Sequence, residues 1–433
     1  MITTHNLSQV KPISYNGLGT SRILLLTQVL PYPPDSGPKV KTFYLLKYLA
    51  QQHRVTLVSF IRSENEVAQA EALRPYCEAI HTVPMVRSRW RDGWHLISSF
   101  LAGRSFIISR DHQRAMHHLL AKLCQQVPFD VVHADQLNMA QFALPLNVPA
   151  RVLDEHNAVW TIFARLARQL PWGLHRLLLN WEWRRLRRYE GDVCRQFDVV
   201  TAVSAEDVTA LSEAMGQAAT IPIIPIAIDT DLEQPVQRQT GATDIVCIGT
   251  MYWPPNVDGV LWFSREVFPL IKAQAPQARF VIVGARPPQE VVSLGEQDPN
   301  IIVTGYVPDL GDILRQSAMM IIPLRAGGGM RVKILNGLAQ GLPMVSTTLG
   351  AEGIDVRQNE HILLADSPTK FAAAVLRLLT DRPFADRLGL NARRLAEEKY
   401  DYRQACRTWD GIYASLANNH RKQLERKNAH SFC

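Results

Sequence analysis

The sequence predicts an α/β protein built from two doubly wound, mostly parallel sheets in tandem, and three observations lead there. Short apolar runs of strand length alternate with segments of helical period along most of the chain. That series is interrupted at the Pro-bearing stretch IPIIPIAIDT (Ile221 to Thr230) and the polar linker behind it, and then begins again. The length of 433 residues is also too great for one ordinary core, while 47% hydrophobic and 20% charged residues suit a globular chain that buries sizeable ones.

Taken in order, residues 1–20 are polar, carry Gly17 and Gly19, and are expected to form a loose lead-in. Arg22 to Val29 reads as a buried strand, followed by the turn-rich PYPPDSG, a helix from about Val40 to Gln51 and a strand from Val55 to Phe60. This βαβ unit sets a Gly-containing loop at the carboxyl end of its first strand, where open α/β sheets bind ligands. Strands at Ala79 to Pro84, Asp130 to His133, Ala150 to Asp154 and Asp198 to Val203 complete a first domain, residues 21–222. A second domain, residues 223–399, has strands at Asp244 to Gly249, Arg279 to Gly284, Ile301 to Thr304, Met319 to Leu324 and Met344 to Thr347. Two such sheets are expected to leave a cleft between the carboxyl ends of their strands. After Ser367 as N-cap, helices are expected to about Lys399. Residues 400–417 form a last helix packing back toward the first domain, and 418–433 a disordered basic tail.

Charge narrows the partners without choosing one. A net charge of +7 suits an anion, whether nucleotide, membrane surface or nucleic acid. Six scattered cysteines with no C-x-x-C pair fit a reducing, cytoplasmic setting without a structural metal. No run approaches a membrane span and the first 20 residues lack a signal-peptide core, so a soluble chain or one peripheral to the inner face of a membrane is expected. WGLHRLLLNWEWRRLRRYE (Trp172 to Glu190) mixes Leu, Trp and Arg as interfacial helices do, but Leu177 and Trp181 share their side with Arg184 and Arg188. A structural helix with snorkelling arginines is therefore favoured over a membrane-docking one.

The most informative stretch is MMIIPLRAGGGMRVKILNGLAQGLPMVSTTLGAEG, Met319 to Gly353. It reads as strand, Gly-rich loop, helix. Val332, Ile334, Leu335, Leu338 and Ala339 fall on one side of the helix, and Lys333, Asn336 and Gln340 on the other. A helix N-terminus favours acids, yet the first turn offers Arg331 and Lys333, with no acid between Arg325 and Asn336. Unpaired N–H groups behind three glycines, with two cations, make a receptor for phosphate or diphosphate. The alternative is that both cations point into water and the glycines only shape a turn.

With PLRA before it, this run resembles the donor-site signature of family 4 glycosyltransferases of the GT-B fold, in a glycine-rich subgroup. LLLTQVLPYPPDSG, FDVVHADQ (Phe129 to Gln136), VLDEHN (Val152 to Asn157), VTAVSAED (Val200 to Asp207), CIGTMYWPPNVDG (Cys247 to Gly259) and TGYVPD (Thr304 to Asp309) match in the same order, over roughly residues 22 to 415. The resemblance implies two Rossmann-like domains, the first on the acceptor side and the second holding a nucleotide-sugar. It also implies transfer with retention to a glycan or lipid-linked acceptor in polysaccharide or glycolipid biosynthesis. It implies no metal, no cofactor beyond the donor co-substrate and no nucleic acid. Gly37 matches the N-domain loop near the donor diphosphate, Tyr306 and Val307 the segment lining the base, and Asp135 a position near the transferred sugar. Gly249, Gly328, Gly329 and Met330 belong by the same match to the donor site, and His133, Glu155 and His156 to the acceptor side; on the residues alone His133 reads equally as a core-edge histidine bonded to backbone, and Glu155 and His156 as loop capping groups. Arg331, Lys333 and Asp135 are the catalytic candidates.

Two departures stand out. The family often carries two glutamates with seven residues between them; here those positions are Gly328 and Asn336, and Asn336 is expected to hydrogen-bond a donor hydroxyl. The basic pair usual after the first strand of the second domain is missing from Gly249-Thr250-Met251-Tyr252-Trp253, which leaves Arg331 and Lys333 to hold the leaving diphosphate. The missing glutamates keep open a non-catalytic GT-B nucleotide- or glycan-binding scaffold, and a GT-B nucleotide-sugar epimerase is a further rival. Asp229-Thr230-Asp231 has the spacing of a metal-binding D-x-D, but in a linker it reads as structural. Trp253, Trp262 and Phe263 read as core.

Overall fold

The structure, a computed structural model, describes residues 20–430, so the expected lead-in lies outside the described residues except for Thr20. The chain divides into two compact units. One is formed by residues 20–226 with 405–430, the other by Ala227–Gln404. The divisions fall four and five residues beyond those expected at 222 and 399. The reason is a local pairing: Ile228 N donates to Tyr400 O (2.9 Å) and Tyr402 N to Ile228 O (2.8 Å), which binds both segments into the same unit.

The first unit carries six parallel strands: β1 (Arg22–Thr27), β2 (Arg54–Ile61), β3 (Ala79–Pro84), β4 (Val131–Asp135), β5 (Ala150–Asp154) and β6 (Val199–Thr201), in the order β3-β2-β1-β4-β5-β6. The central strands are almost continuously apolar because helices cover both faces, as parallel sheets require. The register pairs Thr27 with Asp135, Asp135 with Asp154, and Asp154 with Thr201, so four polar side chains line up at the carboxyl ends of adjacent strands.

The second unit repeats the design with β7 (Asp244–Ile248), β8 (Arg279–Val283), β9 (Ile301–Gly305), β10 (Ser317–Ile322), β11 (Met344–Ser346) and β12 (Leu363–Leu364). Its order, β12-β11-β10-β7-β8-β9, is that of the first sheet counted from the other edge, the doubly wound arrangement in both cases. The two-residue β12 was not expected; no periodicity can show in so short a strand.

The region expected to be helical to Lys399 contains separate helices, Pro368–Thr380 and Arg382–Leu395, divided at Asp381, whose carboxylate accepts from Phe384 N (3.0 Å). Ser367 occupies the expected cap position, but its side chain makes no cap bond. The last helix, Thr408–His430, corrects the expectation of a disordered tail over 418–430; 431–433 lie outside the described residues. Trp409, Tyr413 and Leu416 are buried at helical spacing and anchor its first two turns, from which the helix propagates.

Candidate functional site

In the unit Ala227–Gln404, β7 ends at Ile248, just before Gly249, and its neighbour β10 leads into the loop 323–331. Gly327 and Gly329 take φ values of 106° and 81°, a left-handed backbone that other residues resist, and so turn the chain into the helix Val332–Ala339. Arg331 is its N-cap, and the first turn has no acid. Ile334, Leu335, Leu338 and Ala339 are buried, while Lys333 and Asn336 are half-buried on the other side, as the period implies. Lys333 Nζ donates to Asn256 Oδ1 at 3.0 Å. Asn256 belongs to the helix Pro254–Trp262, and its own Nδ2 donates to Thr250 O (2.9 Å), which fixes the amide. A Cβ on Gly249 would lie 2.9 Å from Lys333 Nζ, so glycine there is what leaves room for the ammonium.

The electrostatics follow from that packing. Burial lowers the Lys333 pKa from its ordinary value, and the Arg331 charge acts in the same direction. Its hydrogen-bond partner is a neutral amide, and among the described residues no carboxylate forms an ion pair with it. Arg331 Nη1 donates to Gly328 O, folding the guanidinium back over its own loop. Arg325 is matched by Asp258 through bonds of 3.0 and 2.6 Å. Met330 is buried beside these groups, and Asn336 lies one turn along the helix from Lys333. Tyr306 is exposed just past β9, and Val307 packs against Val246, Val281 and Val283. Trp262 and Phe263 are core, as expected, but Trp253 is more than half exposed: it caps the helix Pro254–Trp262 in the loop after Gly249, beside exposed Tyr252, over which Arg286 sits at 4.9 Å. Neither Asn256 nor Arg286 was picked out from sequence. The only signal for Asn256 was an amide in the first turn of a helix behind a strand-end glycine.

In the other unit, Gly37 begins the helix Gly37–Leu49 behind Ser36, again with no acid in the first turn. That helix delivers Lys41 and Thr42 to the strand ends. Lys41 forms a buried ion pair with Asp154, which also accepts from Thr201 Oγ1 at 2.6 Å. Burial alone would raise the Asp154 pKa; the Lys41 charge and His133 overcome it and hold it far below the usual range. Asp135 accepts from Thr42 Oγ1 (3.0 Å) and from His156 Nε2 (2.9 Å). His133 is fully buried, with Nδ1 2.7 Å from the Tyr413 hydroxyl and its ring 4.9 Å from Trp409. His133, Asp135 and His156 thus come together, bracketed by Lys41 and Thr42.

Glu155, expected on the acceptor side with His133 and His156, has, like His133, a side chain with no exposure at all. Burial and the neighbouring Glu190 raise its pKa well above the carboxyl range. Glu190 is itself pushed up to about 8 by burial, although it accepts from Val159 N (2.8 Å) and Trp160 N (3.0 Å) at the start of the helix Val159–Gln169. The pair is a buried acid cluster that holds a helix end.

Among the described residues one cluster has donor atoms close enough together to take a metal ion. Donor atoms of Asp135, Asp154 and His156 lie within 4.8 Å of one another; Lys41 and Thr201 both donate to Asp154 Oδ1 and Thr42 to both oxygens of Asp135, while Asp154 Oδ2 has no hydrogen-bond partner among the described residues. In the linker, Asp229, Asp231 and Asp401 all pair with Arg403, and Thr230 Oγ1 donates to Asp401 at 2.6 Å. That is the structural role expected of the D-x-D.

Two family models cover most of the chain: Glycosyltransferase Family 4 over residues 36–232, and Glycosyl transferases group 1 over residues 242–381. The chain is a family 4 glycosyltransferase of the GT-B fold. This glycosyltransferase is 20% identical over 394 residues to an uncharacterized 44.6 kDa protein in the cps region of Klebsiella pneumoniae, covering 88% of this chain and 97% of that one. It is 25% identical over 245 residues to a GDP-mannose-dependent alpha-(1-6)-phosphatidylinositol monomannoside mannosyltransferase of Mycobacterium tuberculosis, covering 51% of this chain and 61% of that one. Its fold is similar to the crystal structure of Anabaena Alr3699/HepE in complex with UDP, with TM-score 0.65, 12% identity, and coverage of 91% and 100%. Glycosyltransferase activity in glycan or glycolipid synthesis follows from family membership.

Proposed function

We propose that the protein transfers a sugar, with retention of configuration, from a UDP- or GDP-sugar to a hydroxyl of a glycan or lipid-linked acceptor, without a metal ion. The observation that carries this reading is Lys333: a cation in the first turn of a helix behind a left-handed glycine loop, bonded to a neutral amide at a strand carboxyl end. The choice of bases is supported by one relative named as GDP-mannose-dependent and one similar fold solved with UDP.

In the reaction the bond from the sugar's anomeric carbon to the diphosphate oxygen breaks, and one from that carbon to the acceptor oxygen forms. The diphosphate leaves with the bonding pair, and its oxygen takes the acceptor's proton. Lys333, Arg331 and the amides of Gly328 and Gly329 stabilise the charge that grows on the diphosphate. Gly249 admits the ligand to the ammonium, Tyr306 and Val307 flank the base, Met330 shapes the loop, and Asn336 bonds a donor hydroxyl. Gly37 and its helix start offer backbone N–H groups, while Asp135 positions His156. The linker aspartates, committed to Arg403, support metal independence. A chain acting inside the cell on such an acceptor fits the scattered cysteines and the fact that no helix among the described residues is long and apolar enough to cross a membrane.

The test is Lys333→Ala assayed for UDP or GDP release from a panel of nucleotide-sugars. Turnover should fall at least tenfold, about 1.4 kcal/mol at the transition state, with the unfolding midpoint nearly unchanged. Unaltered kinetics would remove the donor site from this loop.

A further inference from the structure

Two helices of the unit formed by 20–226 and 405–430 turn their apolar sides outward. In Arg89–Leu101, Trp90, Trp94, Ile97 and Leu101 recur at helical spacing and are 91, 69, 57 and 80% exposed, while Ser99 is buried. This amphipathic helix is inverted with respect to its own protein. In Leu174–Cys194, Leu174, Leu177 and Leu178 are exposed on the side that also carries Trp181, with Trp172 exposed just ahead of them. Phe100 stacks on Trp181 (centroids 4.9 Å apart, 23° between planes), and Arg185 Nη1 donates to the carbonyls of Ser99 and Phe100 at 3.4 Å, which ties the two helices together. Beside that contact is a cavity of about 480 Å³, lined by Leu96, Phe106, Phe163, Leu178 and other apolar side chains; its charged members are Arg110 and Glu182. Glu182 is already committed to Ser105 Oγ (2.6 Å) and to the N–H groups of Phe106 and Ile107.

Charge identifies the partner. Residues 86–115 and 159–190 hold thirteen arginines, no lysine and four acids, and of the acids Asp111, Glu182 and Glu190 are buried. Outward-facing leucines and tryptophans set among arginines match a surface that is apolar inside and anionic at its edge. Arg176 lies 4.5 Å over the Trp172 ring and Arg185 3.4 Å over the Trp181 ring, so each cation is presented on an amphipathic aromatic. A second copy meeting this face across a two-fold axis would set arginines against arginines.

We propose that this face docks on an anionic lipid bilayer. The two outward helices lie in the interface, the tryptophans sit at headgroup depth, the arginines take lipid phosphates, and a lipid chain enters the cavity. This goes beyond the transfer reading and is read without turnover, so failure of one leaves the other standing.

The experiment is co-sedimentation of the full chain with vesicles of phosphatidylcholine and phosphatidylglycerol, beside vesicles of phosphatidylcholine alone, with tryptophan emission followed in parallel. Binding should require the anionic lipid, weaken with salt and shift the emission to the blue. Combining Trp94→Ser, Ile97→Ser and Leu101→Ser, or Arg184→Glu with Arg188→Glu, should raise the vesicle concentration for half-binding at least ~tenfold. These side chains are exposed, so thermal unfolding should hardly move. No pelleting of the wild type, equal binding by the variants, or salt-insensitive binding to phosphatidylcholine alone would each overturn the proposal. So would a dimer in sedimentation equilibrium that the triple variant dissolves without vesicles.

Discussion

The two units share one strand order but treat their strand-end lysines in opposite ways. Lys41 meets a carboxylate, Asp154, in a fully buried pair, and Lys333 meets the neutral amide of Asn256. A lysine paired with a buried acid has its charge consumed by structure. One held by an amide is positioned but not neutralised, and its field remains available to a ligand. The difference explains why the leaving diphosphate is assigned to the Gly327 loop, although both helices begin without an acid.

The comparison breaks most readily on stability. Lys41→Ala should strand the Asp154 carboxylate and cost about 3–5 kcal/mol, whereas Lys333→Ala should cost about 1 kcal/mol or less. Urea unfolding of both variants measures the gap. Lys41→Met with Asp154→Leu should recover much of the loss, because an apolar pair of similar volume carries no stranded charge. Equal midpoints for the two alanine variants would show that the lysines are not differently used.

Much of this was readable in advance and some was not. Strands such as Ala79–Pro84 and Ala150–Asp154 were legible to the residue although neither is a continuous apolar run, the first reading AIHTVP at a sheet edge and the second ARVLD. Lys333 stood out because a cation in the first turn contradicts the helix dipole. Asn256 did not, because its meaning lies in a contact with a residue 77 positions away. The Lys41–Asp154 pair spans 113 positions and was invisible for the same reason. The burial of Glu155 was not legible, because a polar residue after a strand reads as loop surface and its neighbour Glu190 lies on a helix 35 positions along the chain. On Trp172 to Glu190 the sequence showed an apolar stripe mixed with arginine; which way that stripe faced depended on tertiary packing.

A smaller effect sharpens the contrast between the units through pH. Glu155 and Glu190 have folded-state pKa values raised above those of the unfolded chain, so the folded state holds their protons more tightly. Their contribution is full below the ordinary carboxyl range and is lost as pH rises through the folded-state value, about 8 for Glu190. Stability should therefore decline between roughly pH 5 and 8, by at most about 1.4 kcal/mol per pH unit for each group. Glu155→Gln should flatten that slope in unfolding measured at a series of pH values. A slope unchanged by the substitution would mean that the buried acids are not protonated in the native state.

The smallest expected effect is none at all, and it concerns the linker. Asp229, Asp231 and Asp401 face one guanidinium, that of Arg403, and Thr230 donates to Asp401 as well, so the D-x-D oxygens are already satisfied by protein donors. A divalent ion would have to displace Arg403 from three carboxylates. Chelation with EDTA should leave turnover intact, and Asp231→Asn, at an exposed position, should cost about 1 kcal/mol or less with no change in kinetics. The informative control is Arg403→Ala. With the guanidinium gone, three like charges are left close together and the linker should loosen, lowering the unfolding midpoint while the wild type remains indifferent to metal. If EDTA abolished transfer by the wild type and Mn or Mg restored it, the charge on the leaving diphosphate would be balanced by a bound ion. Lys333, held by the neutral amide of Asn256, would then have to share that role with the ion.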